Sequence, residues 1–204
     1  MEIFKVDAKR PTARALDSAV KHLGAGGLVV YPTETAYALG ADATNAAAVR
    51  TIFQVKARTA SKALPLIVAS TAMARRTATF PPLAARLARA HWPGPLTLVL
   101  PVKRSGRLAF GAAASGTVAL RVSSHPIARM LCENLGRPII STSANRSGHG
   151  ACYSIRGVKR EFKKISTPIM VLDAGTLARR RPSTIVRVAP HPVVLRVGSI
   201  KILL

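Results

Sequence analysis

Acidic residues are scarce in this chain. Its 204 residues contain 31 lysines and arginines but only 8 aspartates and glutamates, so the formal net charge is +23. No two of these carboxylates lie close together in the sequence, which argues against a hydrolase built on paired carboxylates and against a magnesium site made only of protein ligands. A positive field of this size attracts polyanions, and nucleic acid is the leading candidate partner. A surface that only keeps the protein in solution is the alternative interpretation.

Histidine and cysteine are also few, and their spacing does not indicate a metal centre. The 5 histidines are scattered, and Cys132 and Cys152 form no C-x-x-C pair, so the sequence predicts neither a zinc site nor a redox dithiol. This cysteine usage suits a reducing cytoplasm. The N-terminus lacks the apolar segment of a secretory signal, and no run of about 18 apolar residues occurs. We therefore expect a cytoplasmic protein without a membrane span.

The hydrophobic pattern predicts an α/β fold. Hydrophobic residues make up 49% of the chain, enough for one substantial core, and no convincing linker divides residues 1–204, so we expect a single domain. Helical periodicity predicts helices over 12–23, 45–55, 71–77, 82–91, 126–135 and 154–162. Apolar runs and alternation predict strands over 28–31, 64–69, 96–100, 117–122, 138–141, 169–172, 184–188 and 193–197. Because strands alternate with helices and then crowd together late in the chain, we expect a twisted mixed β-sheet flanked by helices.

Three cations, Lys56, Arg58 and Lys62, share one parity of residue number. In an extended segment all three side chains would point to one side, whereas a continuous helix would turn Lys56 and Arg58 apart by about 200°. A curved loop would gather the three charges around a triphosphate. A solvated basic turn between a helix and a strand is the alternative, which the spacing alone favours.

Polar side chains follow the first predicted strand. Residues 31–40 read YPTETAYALG and contain two threonines, two tyrosines and one carboxylate. Ligands of α/β proteins gather at the carboxyl ends of strands, so this segment is a candidate binding site. A turn that caps a helix explains the same composition, and the composition does not separate the two interpretations.

Two later segments place polar groups on one side of a strand. In 117–122, alternation puts Thr117 and Arg121 on the side opposite the apolar residues, where the arginine could clamp a carboxylate or reach solvent. Ser141, Ser143 and Asn145 also share a parity, which indicates either the edge of a cleft or an ordinary hydroxyl-stabilised turn. The chain has no nucleophile with a matched base, no Walker A motif and no G-x-G-x-x-G motif. Any chemistry should therefore depend on positioning and charge stabilisation.

Seven segments, in family order from Tyr31 to Gly198, resemble the YrdC-like threonylcarbamoyl-AMP synthase family. They are YPTETAYALG, Lys56-x-Arg58 followed by Lys62, WPGPLTLVLP, TVALRV, STSANRSG, PSTIV and LRVG. The resemblance implies the short, single-domain YrdC-like form, in which an α/β sheet curves around a basic concave face. It implies a nucleotidyltransferase that makes L-threonylcarbamoyladenylate and pyrophosphate from L-threonine, bicarbonate or CO₂, and ATP. Downstream threonylcarbamoyl transferase proteins would use the product to form N6-threonylcarbamoyladenosine in tRNA, and the basic surplus favours direct tRNA contact.

The resemblance also implies roles for particular residues. Arg58 and Lys62 would hold the ATP phosphates, and Lys56 joins them as a catalytic cation on charge and motif. The remaining residues of the ATP site would be Thr117, Ser143, Asn145 and Arg196. The threonine site would consist of Thr35, Arg121, Ser141 and Ser183, with Thr33 and Tyr37 as neighbours in the same motif. Mg²⁺ would arrive with ATP, and no tightly bound protein metal site is expected.

The chain departs from the family pattern at three positions. Ala38 stands where glycine is usual, Thr59 where proline is frequent and Arg187 where an acidic residue is common. Two other functions stay open: a non-catalytic RNA-binding module of the same fold, and a carbamoyl-transfer domain of the kind found in hydrogenase maturation proteins. The latter is disfavoured because the chain lacks the additional cysteine clusters and the acylphosphatase-like region of those proteins.

Overall fold

The computed structural model describes residues 1–8, 10–58, 64–109, 111–113 and 116–203. Within these residues the helices are Ala13–Gly24 (α1), Ala46–Lys56 (α2), Thr71–Thr77 (α3), Pro82–His91 (α4), Pro126–Leu135 (α5) and Ile155–Glu161 (α6). The strands are Glu2–Lys5 (β1), Leu28–Pro32 (β2), Tyr37–Gly40 (β3), Leu66–Ile67 (β4), Leu96–Pro101 (β5), Thr117–Arg121 (β6), Ile139–Ile140 (β7), Thr142–Ser143 (β8), Ile169–Asp173 (β9), Thr184–Arg187 (β10) and Val193–Arg196 (β11). A short 3₁₀ helix occupies Arg104–Gly106.

The strands form two mixed sheets. The first has the order β1-β9-β2-β3-β8 and the second the order β11-β10-β5-β6-β4-β7. In the first sheet, β1, β9 and β2 are parallel, whereas β3 runs antiparallel to both β2 and β8. The second sheet alternates antiparallel pairs with the parallel pairs β10–β5 and β4–β6. Both sheets therefore combine hairpin connections with crossovers, as expected for a mixed α/β protein.

Alternation along β2 assigns its two faces to two cores. Val29 and Tyr31 pack against α1 and α5, whose buried stripes include Leu16, Leu23 and Leu131. The even-numbered residues of β2, Leu28 and Val30, instead join the larger core, which also contains the inward residues of the second sheet. The main core thus lies between the two sheets. None of the helices in the described ranges is long and apolar enough to cross a membrane.

The α/β class and the mixed strand directions are confirmed, but the strands divide between two sheets instead of one. The six predicted helices are present with ends that differ by a residue or so. The sequence patterns missed β1, β3 and β8. These strands are only four, four and two residues long, which is too short for clear alternation. The basic concave face and the single domain over 1–204 stay predictions.

Local capping explains where α2 begins and ends. The Asn45 side chain accepts hydrogen bonds from the backbone N–H groups of Ala47 and Ala48 at its start. At its end, Ala57 has φ 48° and ψ 48°, a left-handed conformation that breaks the helix. Lys56 is therefore helical, and no extended segment aligns it with Arg58. Lys62 lies outside the described residues.

Candidate active site

Residues 33–36, which follow Tyr31 and Pro32 of the YPTETAYALG segment, form the turn of the β2–β3 hairpin. The Thr33 hydroxyl donates to the carbonyl oxygen of Ala36 at 2.6 Å and accepts from the N–H groups of Thr35 and Ala36 at 3.2 Å. These bonds satisfy the backbone of a tight reversal and hold the Thr35 hydroxyl 3.0 Å from that of Thr33. The segment caps no helix, because strand β3 follows it directly.

Arg121 lies at the end of β6, opposite this turn. The alternation predicted for the strand is confirmed: Val118 and Leu120 are fully buried in the core, and Thr117 and Arg121 line a cavity. Nη1 of Arg121 lies 3.2 Å from Oε1 of Glu34 and 3.4 Å from the Thr35 hydroxyl. The arginine therefore points into the protein and not into solvent.

Ser141 and Ser143 approach the same cavity from the β7–β8 segment. The Ser141 N–H donates to the carbonyl oxygen of Pro65 at 2.7 Å, which joins this segment to the residues before β4. Its hydroxyl oxygen is buried and lies beside the phenol of Tyr31. Other atoms of Ser141 line the cavity.

Ser183 directly precedes β10, which lies next to β5 in the second sheet. Its hydroxyl shares a 2.8 Å hydrogen bond with that of Thr97 on β5. Arg196 donates to the Ser183 carbonyl oxygen through Nε at 3.0 Å and Nη2 at 2.9 Å. Gly198 makes this packing feasible, since a Cβ there would lie 2.1 Å from the Pro182 carbonyl oxygen. The PSTIV and LRVG segments thus hold one another in place.

These segments enclose a cavity of about 520 Å³, a size typical of small-molecule sites. The predicted residues that line it are Thr33, Thr35, Tyr37, Arg58, Thr117, Arg121, Ser141, Ser143, Ser183 and Arg196. Stretches separated by up to 163 positions in sequence, from 33 to 196, therefore meet at one site. Ala38, one of the departures from the family pattern, also lines the cavity.

A second, more open cavity of about 540 Å³ adjoins the first and shares Arg58, Thr142 and Ser143 with it. Lys56 and Asn145 line only the second cavity. Asn145 donates through Nδ2 to the carbonyl oxygens of Arg146 and His149 at 2.8 and 2.7 Å. Its Oδ1 is buried and accepts no hydrogen bond from the described residues. Arg58 stands where the two cavities meet.

Lys56 differs from the expectation that its amine faces a phosphate group alongside Arg58. Its side chain is 2% exposed, and Nζ donates to the carbonyl oxygens of Ser143 and Asn145 at 2.5 and 2.6 Å. Burial, reinforced by the charge of Arg58, lowers the pKa of Lys56 to about 8. The lysine thus joins the end of α2 to the loop after β8 and shapes the second cavity from within the protein.

The main cavity is strongly electropositive. Its wall contains the guanidinium groups of Arg58, Arg121, Arg180 and Arg196 and, among the described residues, no carboxylate. Burial lowers the pKa of Arg58, and burial followed by the charge of Arg121 lowers the pKa of Arg196. Both shifts mean that the cations are partly desolvated, which strengthens their attraction to a bound anion.

Tyr37 lines the cavity, and its hydroxyl also forms hydrogen bonds to the backbone of another segment. Its hydroxyl donates to the Gly175 carbonyl oxygen at 2.7 Å and accepts from the Ala174 N–H at 3.0 Å. Burial raises the pKa of Tyr37 to about 12, so the phenol stays neutral. Its ring therefore offers a fixed apolar wall.

Three wall or support residues were missed by the sequence patterns. Thr97 is 2% exposed and lines the cavity from β5; a threonine inside the apolar run LTLVL was the available signal. Arg180 belongs to a run of three arginines, and nothing in that run indicated that it reaches the cavity. Glu34 supports Arg121 from outside the wall, a relationship that only the fold creates.

In the described part of the chain, no three histidine, cysteine, aspartate or glutamate side chains are grouped so that they could hold a metal ion. The polar side chains that line the two cavities instead carry cations, hydroxyls, the amide of Asn145 and the imidazole of His149. Such groups suit anionic and hydroxylated ligands.

Comparison with known proteins identifies the family of this chain. A model of the family of Sua5, YciO and YrdC proteins, described as "Telomere recombination", matches residues 21–198. The chain belongs to this family. A relative from Thiobacillus denitrificans named threonylcarbamoyl-AMP synthase is 39% identical over 175 residues, which cover 82% of this chain and 88% of the relative.

Solved structures of the family share the fold. P. abyssi Sua5 complexed with L-threonine superposes with a TM-score of 0.87 at 36% identity over 97% of this chain. This chain spans only 58% of the length of that protein. E. coli YciO superposes with a TM-score of 0.85 at 27% identity and is covered over 96% of its length. The short form of the family therefore has a structural counterpart of nearly the same extent.

Proposed function

We propose that this protein is a threonylcarbamoyl-AMP synthase. It joins L-threonine, CO₂ or bicarbonate, and ATP to give L-threonylcarbamoyladenylate and pyrophosphate. The observation that carries the proposal is that Arg121, Ser141 and Ser183 share one cavity with Arg58, which leads into a second polar cavity. An amino acid and a nucleotide can thereby lie side by side, as this reaction requires.

The amino acid fits the end of the cavity beside the hairpin turn. Arg121 supplies a guanidinium for its carboxylate. Thr35 and Ser183 also line this cavity, and their hydroxyls suit its amine and side-chain hydroxyl. The protein of P. abyssi that resembles this chain was crystallised with L-threonine, which supports the choice of this amino acid.

The nucleotide fits the boundary between the cavities. Arg58 and Ser143 line both of them, and Asn145 lines the second. Thr117 and Arg196 complete the nucleotide side of the first cavity. We assign Lys62 to the phosphates by motif alone, and Mg²⁺ enters as part of the MgATP substrate.

The reaction follows from these positions. The threonine amine adds to CO₂ and loses a proton, which gives a carbamate. A carbamate oxygen attacks the α-phosphorus in line, the bond from that phosphorus to the bridging oxygen breaks, and pyrophosphate leaves with the electron pair. Arg58 offsets the negative charge that grows on the leaving group. Lys56 acts indirectly, because its bonds to the Ser143 and Asn145 carbonyls hold the loop that faces the nucleotide.

The product would pass, in the cytoplasm, to transferase proteins that modify tRNA.

We also propose that the chain contacts RNA directly. No carboxylate occurs between Asp42 and Glu133. Within this stretch, α3 and the 3₁₀ helix lie together, since the Lys103 N–H donates to the Thr77 carbonyl oxygen at 2.9 Å. The exposed cations Arg75, Arg76, Lys103 and Arg104 therefore form one surface, which suits a phosphate backbone.

One assay tests the synthase proposal. The purified chain is incubated with MgATP, bicarbonate and L-threonine, pyrophosphate is followed over time, and the adenylate is identified by mass spectrometry. We expect release that needs all three substrates. Release without threonine, or no release together with tight, salt-sensitive RNA binding, would contradict the proposal and favour the RNA-binding module.

A further inference from the structure

Glu34 stands out because it is a buried carboxylate next to a cavity whose wall is cationic. Thr33 and Thr35 on either side of it line the cavity, whereas Glu34 itself does not. Its carboxylate pairs with Arg121, and both side chains are only 9% exposed. A buried ion pair is costly to form and persists where geometry and further hydrogen bonds support it.

A short network fixes the glutamate. The Ser123 hydroxyl, in a fully buried residue, donates to Oε2 of Glu34, and the same hydroxyl oxygen accepts from the His125 N–H at 3.1 Å. Oε1 of Glu34 is turned to Arg121 and accepts no hydrogen bond among the described residues. Glu34 is therefore held by Ser123 through one carboxylate oxygen and paired with Arg121 through the other.

The pairing leaves part of the guanidinium for a ligand. In the described structure, the contacts of Arg121 to Glu34 and Thr35 are both made through Nη1. A guanidinium has five N–H donors, so Nη2 and Nε can still bind a carboxylate in the cavity. The glutamate thus orients Arg121 without occupying its ligand-facing edge.

The pairing of Glu34 with Arg121 also reduces the positive potential at one end of the cavity. A triphosphate is attracted to every arginine on the wall, including the one that the amino acid needs. Glu34 cancels most of the field of Arg121 at a distance, because the two charges are separated by 3.2 Å. Arg121 can still donate hydrogen bonds to a single carboxylate in direct contact, whereas its long-range attraction for a polyanion falls.

We propose that Glu34 is a positioning residue that reserves Arg121 for the carboxylate of the amino acid and keeps polyphosphate away from that end of the cavity. This inference rests on the proposed function and deepens it by naming what separates the two anionic substrates.

The test is threonine binding measured by calorimetry with and without sodium pyrophosphate. For the wild-type protein we expect the Kd for threonine to change by less than about twofold when pyrophosphate is added. For Glu34→Gln we expect pyrophosphate to raise that Kd about tenfold, since the unpaired Arg121 now attracts it. In turnover assays the same variant should show a threonine KM that rises with ATP concentration and a kcat that is retained at saturating threonine.

Matched variants separate charge from packing. Glu133→Gln removes an exposed carboxylate on α5 and should behave as the wild type. Glu34→Asp keeps the charge and should keep the insensitivity to pyrophosphate. Ser123→Ala frees the glutamate without removing its charge, so it should weaken threonine binding a few-fold but create no competition with pyrophosphate. If circular dichroism shows that Glu34→Gln is unfolded, the test is made with Glu34→Asp and Ser123→Ala.

The outcomes distinguish this inference from the proposed function. A wild-type protein that binds no threonine would overturn both. Threonine binding by the wild type, with equal pyrophosphate sensitivity in Glu34→Gln, would overturn the role of Glu34 alone. Competition by pyrophosphate in Glu34→Asp or Ser123→Ala would overturn it as well, because their charge is intact.

Discussion

The amine of Lys56 donates a hydrogen bond to the carbonyl oxygen of Asn145 at 2.6 Å across 89 positions of sequence. Lys56 ends α2, and Asn145 belongs to the loop after β8, so this bond joins two walls of the second cavity. Lys56, which the motif groups with the expected phosphate-binding cations, therefore supports the backbone of the site.

Replacement of Lys56 by methionine should destabilise the protein. The variant leaves two carbonyl oxygens without their donor, and we expect the free energy of unfolding to fall by about 2 kcal/mol. Urea denaturation followed by circular dichroism measures this change. Arg50→Met, at an exposed position of the same helix, is the matched control and should change stability by less than about 0.5 kcal/mol.

The stabilisation by Lys56 should also depend on pH. The pKa of the lysine is about 8 in the folded protein and 10.5 in an ordinary environment. Below pH 8 the amine is protonated in both states, and the cost of burying its charge is fully present. Between about pH 8 and 10.5 the unfolded chain binds more protons, so the free energy of unfolding should rise with pH relative to that of Lys56→Met. A difference that is flat or falls over this range would contradict the burial of the charge.

Arg58→Ala should reduce turnover while the fold is kept. Arg58 lines both cavities, and its charge is proposed to stabilise the departing pyrophosphate. Loss of one such group should lower kcat by about 100-fold or more. Pyrophosphate release under saturating substrates measures the effect, and Arg50→Ala is the control. Turnover equal to that of the wild type would remove Arg58 from the mechanism.

Thr97→Val should weaken threonine binding without affecting the chemical step. The variant keeps the shape of the side chain but removes the hydroxyl that lies 2.8 Å from that of Ser183. We expect the KM for threonine to rise about fivefold, which corresponds to about 1 kcal/mol, with kcat little changed. Thr51→Val, on a hydroxyl of α2 outside both cavities, is the comparison. A fall in kcat with an unchanged KM would contradict the assignment.

The cationic surface of α3 and the 3₁₀ helix should contribute to RNA affinity. The double variant Arg76→Gln, Arg104→Gln removes two exposed charges. The slope of log affinity against log salt concentration for a tRNA should become shallower by about 1.5. Arg14→Gln, Lys21→Gln makes the same change in charge on α1 and should leave the slope unaltered if binding is local to the first surface. Equal effects of the two variants would show that only net charge matters.

Local patterns sufficed for much of this fold. The stripe of Leu16 and Leu23 predicts α1, and alternation from Thr117 to Arg121 correctly predicts which side of β6 meets the core. Such patterns depend on neighbours in sequence, whose geometry a helix or strand imposes. The patterns failed where length or distant partners decide: β3 and β8 are too short to show alternation, and both are stabilised by pairing with each other.

The site shows the same division. Ten of the predicted residues line one cavity, but Lys56 is buried against two carbonyl oxygens. Glu34 pairs with Arg121, and the Thr97 hydroxyl shares a hydrogen bond with that of Ser183. No spacing rule indicates such pairs, because the contacts join residues 86 to 89 positions apart.

The amino-acid sequence by itself determined the α/β class, the surplus of positive charge, the ends of most helices and the kinds of group available for binding. Only the tertiary structure decided which cation lines the main cavity and which supports the backbone, and which carboxylate balances which arginine. The reason is physical: chain-local sterics depend on adjacent residues, whereas burial and ion pairing depend on what the folded chain brings next to each group.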